Sequence, residues 1–273
     1  MPSFIDSLKY LFLGLVQGIA EILPISSSGH LALFQSLLGV NAGNEDVFAI
    51  FVHFASLVAL VIFFRKLIWR LIKGTCLFLF KKDKTYKHDF LLVVYLVIAT
   101  IPAALLGYLF EDFFTQKFGN LLFIGIAFLV TAGILFGISF IKDSKNETYT
   151  WKNTLIAGLF QVIGIFPGIS RSGITMSGGK IAGLSNDKAK EFAFLLFIPV
   201  AAGSFILSLG DVSLIMQAQS STVILYGLSA LASGLFTFLA LVYIFKRFSI
   251  KHYKYFSIYL IVVGIFTIIC SLL

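Results

Sequence analysis

"EILPISSSGH", residues 21–30, interrupts a stretch that is otherwise apolar, with "LFLGLVQGIA" (11–20) before it and "LALFQSLLGV" (31–40) after it. An acid, a proline, three serines, a glycine and a histidine cannot simply continue a lipid-facing helix there. Proline removes a helix donor. Non-helical backbone at membrane depth persists only where protein or a wet cavity satisfies its polar groups. The segment 3–39 therefore reads as a re-entrant hairpin: a half-helix in, a polar loop, a half-helix out.

The surrounding composition supplies the membrane. Of 273 residues 59% are hydrophobic and only 12% charged, with mean hydropathy +0.98, which excludes a soluble domain of this size. Six apolar runs are long enough to cross as helices, at about 47–64, 90–110, 119–141, 189–209, 221–245 and 255–273. The alternation of a membrane barrel is absent. Cys76 and Cys270 lie far apart in different segments, so neither a disulfide framework nor a metal motif follows.

A second broken segment, 153–184, copies the first. A shift of 144 residues brings Gly14 onto Gly158, Gln17 onto Gln161, "ISSSG" (25–29) onto "ISRSG" (169–173), Gly39 onto Gly183 and Phe48 onto Phe192. Each copy holds one hairpin and three crossings. Three is odd, so the second copy sits upside down relative to the first, with the broken segments meeting near the midplane. The expected fold is an all-α polytopic membrane protein. It is one membrane domain over 1–273, an inverted repeat of about 3–141 and 153–273, with six transmembrane helices and two re-entrant helical hairpins. A signal-peptide reading of 10–23 falls away, because the second copy is internal.

Charge orients this topology. Regions 65–88, 142–152, 180–190 and 246–254, read as loops on one side, hold 18 of the 21 Lys and Arg residues. By the positive-inside rule that side is cytoplasmic. Both termini are then outside, and the net charge of +8 needs no nucleic acid as partner.

Glu21, His30, His53 and Arg171 are the ionisable residues left in the broken segments or well inside a crossing, where such groups are costly and functional by default. Gln17 and Glu21 share a helix face one turn apart. Pro24 breaks the first segment, before Ser26, Ser27, Ser28, Gly29 and His30; Pro167 and Gly168 break the second, before Ser170, Arg171, Ser172, Gly173 and Thr175. Two half-helices so start at serine-rich loops, each offering free N–H groups and a positive dipole end. With the fork of Arg171 they make a site for a phosphate-like anion. Hydroxyls beside an acid and an imidazole supply a nucleophile and a base. Blander readings stand beside these. Ser28 and Ser172 read as helix caps, Glu21 and Arg171 as a structural pair, and His30 and His53 as satisfied buried histidines. Gly14 and Gly18 form a small-xxx-small packing pattern. Glu191 reads as a solvated partner of Lys188 and Lys190.

The paired motifs "QGIAEILPISSSGH" (17–30) and "PGISRSGIT" (167–175) are similar to those of the undecaprenyl-pyrophosphate phosphatase family of bacterial membranes, also called the bacitracin-resistance family. The resemblance covers essentially the whole chain. It implies hydrolysis of undecaprenyl pyrophosphate to the monophosphate and phosphate, recycling the lipid carrier of cell-wall synthesis and conferring bacitracin resistance. The partners it implies are a polyprenyl pyrophosphate lipid, with bacitracin competing for it, and it leaves room for a homodimer. The location implied is the bacterial plasma membrane, with the site open to the outer face. Ser27, His30, Glu21 and Arg171 are then the expected catalytic residues. Ser27 is the expected nucleophile, with either Glu21 or His30 taking its proton. Ser26, Gly29, Gly168, Ser170, Ser172, Gly173 and Thr175 are the expected substrate-binding residues. The resemblance also implies a divalent cation, Mg2+ or Ca2+, bridged by the substrate and met by Glu21 and Gln17. Many family members carry glutamate in place of Gln17 and an acid in place of Ala49, so this chain offers fewer carboxylates. The competing expectation is a lipid-phosphate flippase using the same anion site.

Overall fold

A computed structural model describes residues 3–40, 45–208 and 220–273. The described residues are overwhelmingly helical. In chain order the helices are α1 (Phe4–Ile22), α2 (Ser27–Leu38), α3 (Glu45–Lys81), α4 (Lys87–Phe118), α5 (Leu121–Ile138), α6 (Trp151–Ile163), α7 (Arg171–Ile181), α8 (Asn186–Ser208), α9 (Ser220–Arg247) and α10 (Ile250–Leu272). A 3-10 turn, Lys84–Tyr86, joins α3 to α4. Six helical spans are long and apolar enough to cross a membrane, and they fall in α3, α4, α5, α8, α9 and α10. Large apolar side chains such as Leu231, Val262, Ile258 and Leu105 stand on the outer surface. Lipid is the solvent that such a surface fits.

The two breaks lie where proline and serine predict them. Residues 23–26 separate α1 from α2, and 164–170 separate α6 from α7. At 12 and 11 residues, α2 and α7 are about 18 and 16 Å long, too short for a hydrocarbon core of about 30 Å. At 19 residues α1 is longer than a half-helix; Ser3 caps its start by accepting from the Asp6 amide.

The segment 65–88, read as a loop, is instead mostly helix. α3 runs 37 residues to Lys81, about 55 Å, so one end of it stands clear of the hydrocarbon. The reason is amphipathy within the basic stretch. Leu71 is buried, Arg70 pairs with Asp89 of α4 at 3.3 Å, and Phe78 stacks on Phe90. The chain reverses only at 82–86, where Lys82 takes a positive φ of 54°.

Close helix packing follows the small residues. α5 packs on α10, and α1 and α3 both pack on α9. A Cβ on Gly14 would strike the backbone of Ser229, and one on Gly18 the backbone of Ser233, as the small-xxx-small pattern predicts. Gly158 of α6 is equally tight against Ala99 of α4, and Gly125 and Gly264 face each other across the α5–α10 crossing. Buried hydroxyls join the helices elsewhere. Ser56 of α3 meets Ser233 and Thr237 of α9 at 3.0 and 2.9 Å, and Ser257 of α10 donates to the Ala132 carbonyl at 2.8 Å.

Two lysines counted among the surface basic residues are buried. Lys180 is bound to Asp143 at 2.8 Å. Lys190 reaches Asp187 at 2.7 Å and donates to the carbonyls of Ile244 and Phe248 where α9 ends. Glu191 therefore pairs with Lys188 alone of the two, at 2.9 Å, and also accepts from the Tyr149 hydroxyl.

Candidate functional site

The two breaks meet. Under the 144-residue shift their contacts are reciprocal. A Cβ on Gly29 would lie 3.2 Å from Cα of Gly168, and one on Gly173 would lie 3.0 Å from Cβ of Pro24. Ser28 Oγ accepts from the Gly168 amide at 3.4 Å, and Ser172 Oγ donates to the Leu23 carbonyl at 3.4 Å. Ser28 and Ser172 are therefore straps between the loops rather than the expected caps. The caps are Ser26 and Ser170, whose hydroxyls accept from the amides of Gly29 (3.4 Å) and Gly173 (3.1 Å). Both cap hydroxyls are buried, and Thr175 turns back to its own helix, donating to the Arg171 carbonyl at 2.8 Å. The amides of Ser27, Ser28, Arg171 and Ser172 bond to no group among the described residues. These are the helix-start donors that suit an anion.

Glu21 is the centre of the polar cluster. Its Oε2 accepts from Ser27 Oγ at 2.5 Å and from Gln17 Nε2 at 2.8 Å. Its Oε1 accepts from Arg171 Nη2 at 3.0 Å, across 150 positions of sequence. Arg171 also lays its guanidinium over the Phe197 ring, 4.5 Å from the centroid. Glu21 is almost wholly enclosed, whereas the side chain of Arg171 keeps 27% of its surface open. The site thus pairs a buried carboxylate with a partly open cation beside a buried hydroxyl.

His53, expected as a satisfied buried histidine, keeps 32% of its side-chain surface open. The structure sets its Nε2 3.5 Å from Glu21 Oε2, while Nδ1 donates to the Ala49 carbonyl at 2.9 Å. The absence of an acid at position 49 is thus accompanied by a histidine one turn on, facing the same carboxylate. His30 goes the other way and makes no hydrogen bond to Ser27. Its Nδ1 binds the Ser26 carbonyl and its Nε2 the hydroxyl of Tyr259, each at 2.8 Å. Tyr259 carries no sequence signal of its own; a tyrosine in an apolar helix reads as an interface residue.

The donor set is poor for a divalent cation held by protein alone. No group of three or more His, Cys, Asp or Glu side chains is gathered among the described residues. Both oxygens of Glu21 already accept hydrogen bonds, and the Arg171 guanidinium and the His53 ring flank it. Gln17 Oε1, on the amide that donates to Glu21, is buried and without a partner among the described residues.

Comparison with known proteins identifies the family. The sequence profile of the family described as bacitracin resistance protein BacA matches residues 10–266. The chain is 42% identical over 260 residues to the undecaprenyl-diphosphatase of Thermosipho africanus, covering 94% of this chain and 98% of that protein. It is 38% identical over 271 residues to undecaprenyl-diphosphatase 2 of Bacillus thuringiensis, covering 98% and 99%. With the undecaprenyl-diphosphatase of Oceanobacillus iheyensis it shares 38% over 270 residues, 98% of each. The chain belongs to the bacitracin resistance protein BacA family.

Proposed function

From that membership and the geometry of the cluster, we propose that this multi-pass membrane protein hydrolyses undecaprenyl pyrophosphate to undecaprenyl phosphate and inorganic phosphate. It thereby returns the lipid carrier to cell-wall synthesis and removes the lipid that bacitracin binds. The observation that carries the reading is the Ser27 hydroxyl donating into the Glu21 carboxylate, which Arg171 holds from the opposite loop. A flippase would use the anion clamp but has no need of a hydroxyl paired with a base.

Ser27 Oγ attacks the terminal phosphorus, and its proton passes to Glu21. The bond to the bridging oxygen breaks, and undecaprenyl phosphate leaves. Water then cleaves the phosphoserine, releasing phosphate and restoring the hydroxyl. Of the two bases the sequence left open, Glu21 is favoured, because His30 is turned onto Ser26 and Tyr259. The charge on the phosphoryl oxygens meets Arg171 and the free amides of both helix starts, with Ser28 and Ser172 within the same ring of donors. Ser26, Ser170 and Thr175 shape the loops that present these amides, and Gly29, Gly168 and Gly173 let the loops approach. A divalent cation would arrive on the diphosphate, with Gln17 Oε1 as its protein oxygen beside Glu21, and would neutralise phosphate charge there. All these groups come from one chain, so a second copy is not needed to complete the site.

The fold reading behind this site is an inverted repeat with two re-entrant hairpins in a single domain, both termini and the site opening outside. The reciprocal Gly29–Gly168 and Gly173–Pro24 contacts support it. Phosphate release from a long isoprenoid pyrophosphate by the purified protein tests the function. Ser27→Ala is expected to abolish release while the lipid still binds; activity retained in that variant overturns the assignment of the nucleophile.

A further inference from the structure

We infer that Tyr259 is a positioning residue for this reaction: acting through His30, it holds the backbone of Ser26 and so places the hydroxyl of Ser27. The inference rests on the proposed role of Ser27 as nucleophile.

Ser26 is one of two non-glycine residues with positive φ among the described residues, at φ 70° and ψ 97°. The other, Lys82, lies in the α3–α4 turn. Such a conformation is costly and persists only where its surroundings over-determine it. The Ser26 side chain contributes little, since its contact to the Gly29 amide is a long 3.4 Å. The carbonyl is better held. It accepts from the His30 amide at 3.2 Å and from His30 Nδ1 at 2.8 Å. A carbonyl can only accept, so Nδ1 carries the proton. In the neutral ring Nε2 is then the acceptor, and the Tyr259 hydroxyl, 2.8 Å away, donates to it. The two rings lie 5° from parallel with centroids 5.6 Å apart, and Phe128 closes the other approach at 4.9 Å.

His30 is thus fixed in tautomer and orientation by a residue of the last helix, and the conformation of the residue before Ser27 is fixed by His30. The Tyr259 hydroxyl makes no other hydrogen bond among the described residues. Its ring is exposed, so its removal opens no cavity in the core. A hydrogen bond with no other employment, made to the ring that holds a strained peptide beside the attacking atom, marks the tyrosine as part of the reaction's support.

Tyr259→Phe in the full chain keeps the ring and deletes the hydroxyl. The expected result is a fall in kcat of about tenfold, the worth of one hydrogen bond, with KM changed by less than about twofold because no phosphate contact is lost. Amide hydrogen exchange is expected to quicken at Gly29 and His30, whose amides Ser26 receives, and stay unchanged along the α5–α10 interface. A kcat equal to that of the parent overturns the inference. So does quickened exchange along the whole of α5 and α10, which would mean general loosening. Ser27→Ala run in the same assay separates the two readings. If that variant remains active, the nucleophile assignment has failed. If it is inactive while Tyr259→Phe matches the parent, only the role of Tyr259 has failed.

Discussion

Arg171 commits one guanidinium nitrogen to Glu21 and rests its plane on Phe197, which leaves the remaining N–H groups of the fork for an anion. Two phosphates at membrane depth need compensation, because unpaired charge there is expensive. Lysine at this position keeps the charge and loses both the fork and the stack. Arg171→Lys is expected to lower turnover at least ~100-fold, as deletion of a well-placed transition-state donor does. Thermal stability in detergent should hold, since the balance with Glu21 survives. Near-normal turnover in that variant would reduce Arg171 to a structural partner. Gln17 poses the complementary case. Its amide nitrogen neutralises nothing, yet it fills the approach to Glu21 Oε2 at 2.8 Å. Gln17→Glu would set two carboxylates at that separation, an arrangement that demands a cation or a shared proton. The variant is expected to reach half-maximal activity at a lower Mg2+ concentration than the parent and to lose activity when Mg2+ is withdrawn. A cation dependence identical to the parent's would place Gln17 beyond the ion's reach.

The elements explain which of these residues the sequence could announce. The breaks before α2 and α7 are legible because proline and serine act locally: they remove donors and supply caps within a few residues. Glu21, Ser27 and Arg171 stand out for the same reason, as polar groups in apolar segments, and the structure joins them in one hydrogen-bonded cluster. His53 is different. Helical periodicity gives its position along α3 but not the direction that face takes once α3 has packed on α9 and α1, so its approach to Glu21 is a tertiary fact. Tyr259 is hidden more deeply, since its partner lies 229 positions away. Charge misleads in the opposite sense. Arg65, Lys66, Arg70 and Lys73 suggest a loop, yet lysine and arginine are good helix formers, and Leu71 and Phe78 give the segment an apolar side on which α3 continues. Lys180 and Lys190 look solvated by composition and are buried, because Asp143, Asp187 and two helix-end carbonyls receive them.

At the scale of the whole molecule, the proposed inverted repeat rests on parity. In that proposal two copies of one hairpin and three crossings run antiparallel across the membrane, and such copies would bring both helix starts to one depth, where neither copy alone could surround a phosphate. The charge bias bears on the same question by a separate route. Of the 18 basic residues assigned to one side, Lys180 and Lys190 are buried and paired, so 16 remain to face the headgroups there, against Lys9, Lys117 and Arg171 elsewhere. That ratio supports the proposed orientation, because the rule counts residues in short loops near the ends of the spans. In the proposed orientation the α3–α4 turn, with Lys81, Lys82, Lys84 and Lys87, lies on the cytoplasmic side. Reporters fused before residue 1 and after residue 273 are expected to read external together, and one inserted at 82–86 to read internal. The three readouts are tied to each other by the even number of crossings between the termini. An internal signal at either terminus would break the parity, and with it the proposal that the loops at Ser27 and Arg171 approach the diphosphate as inverted copies.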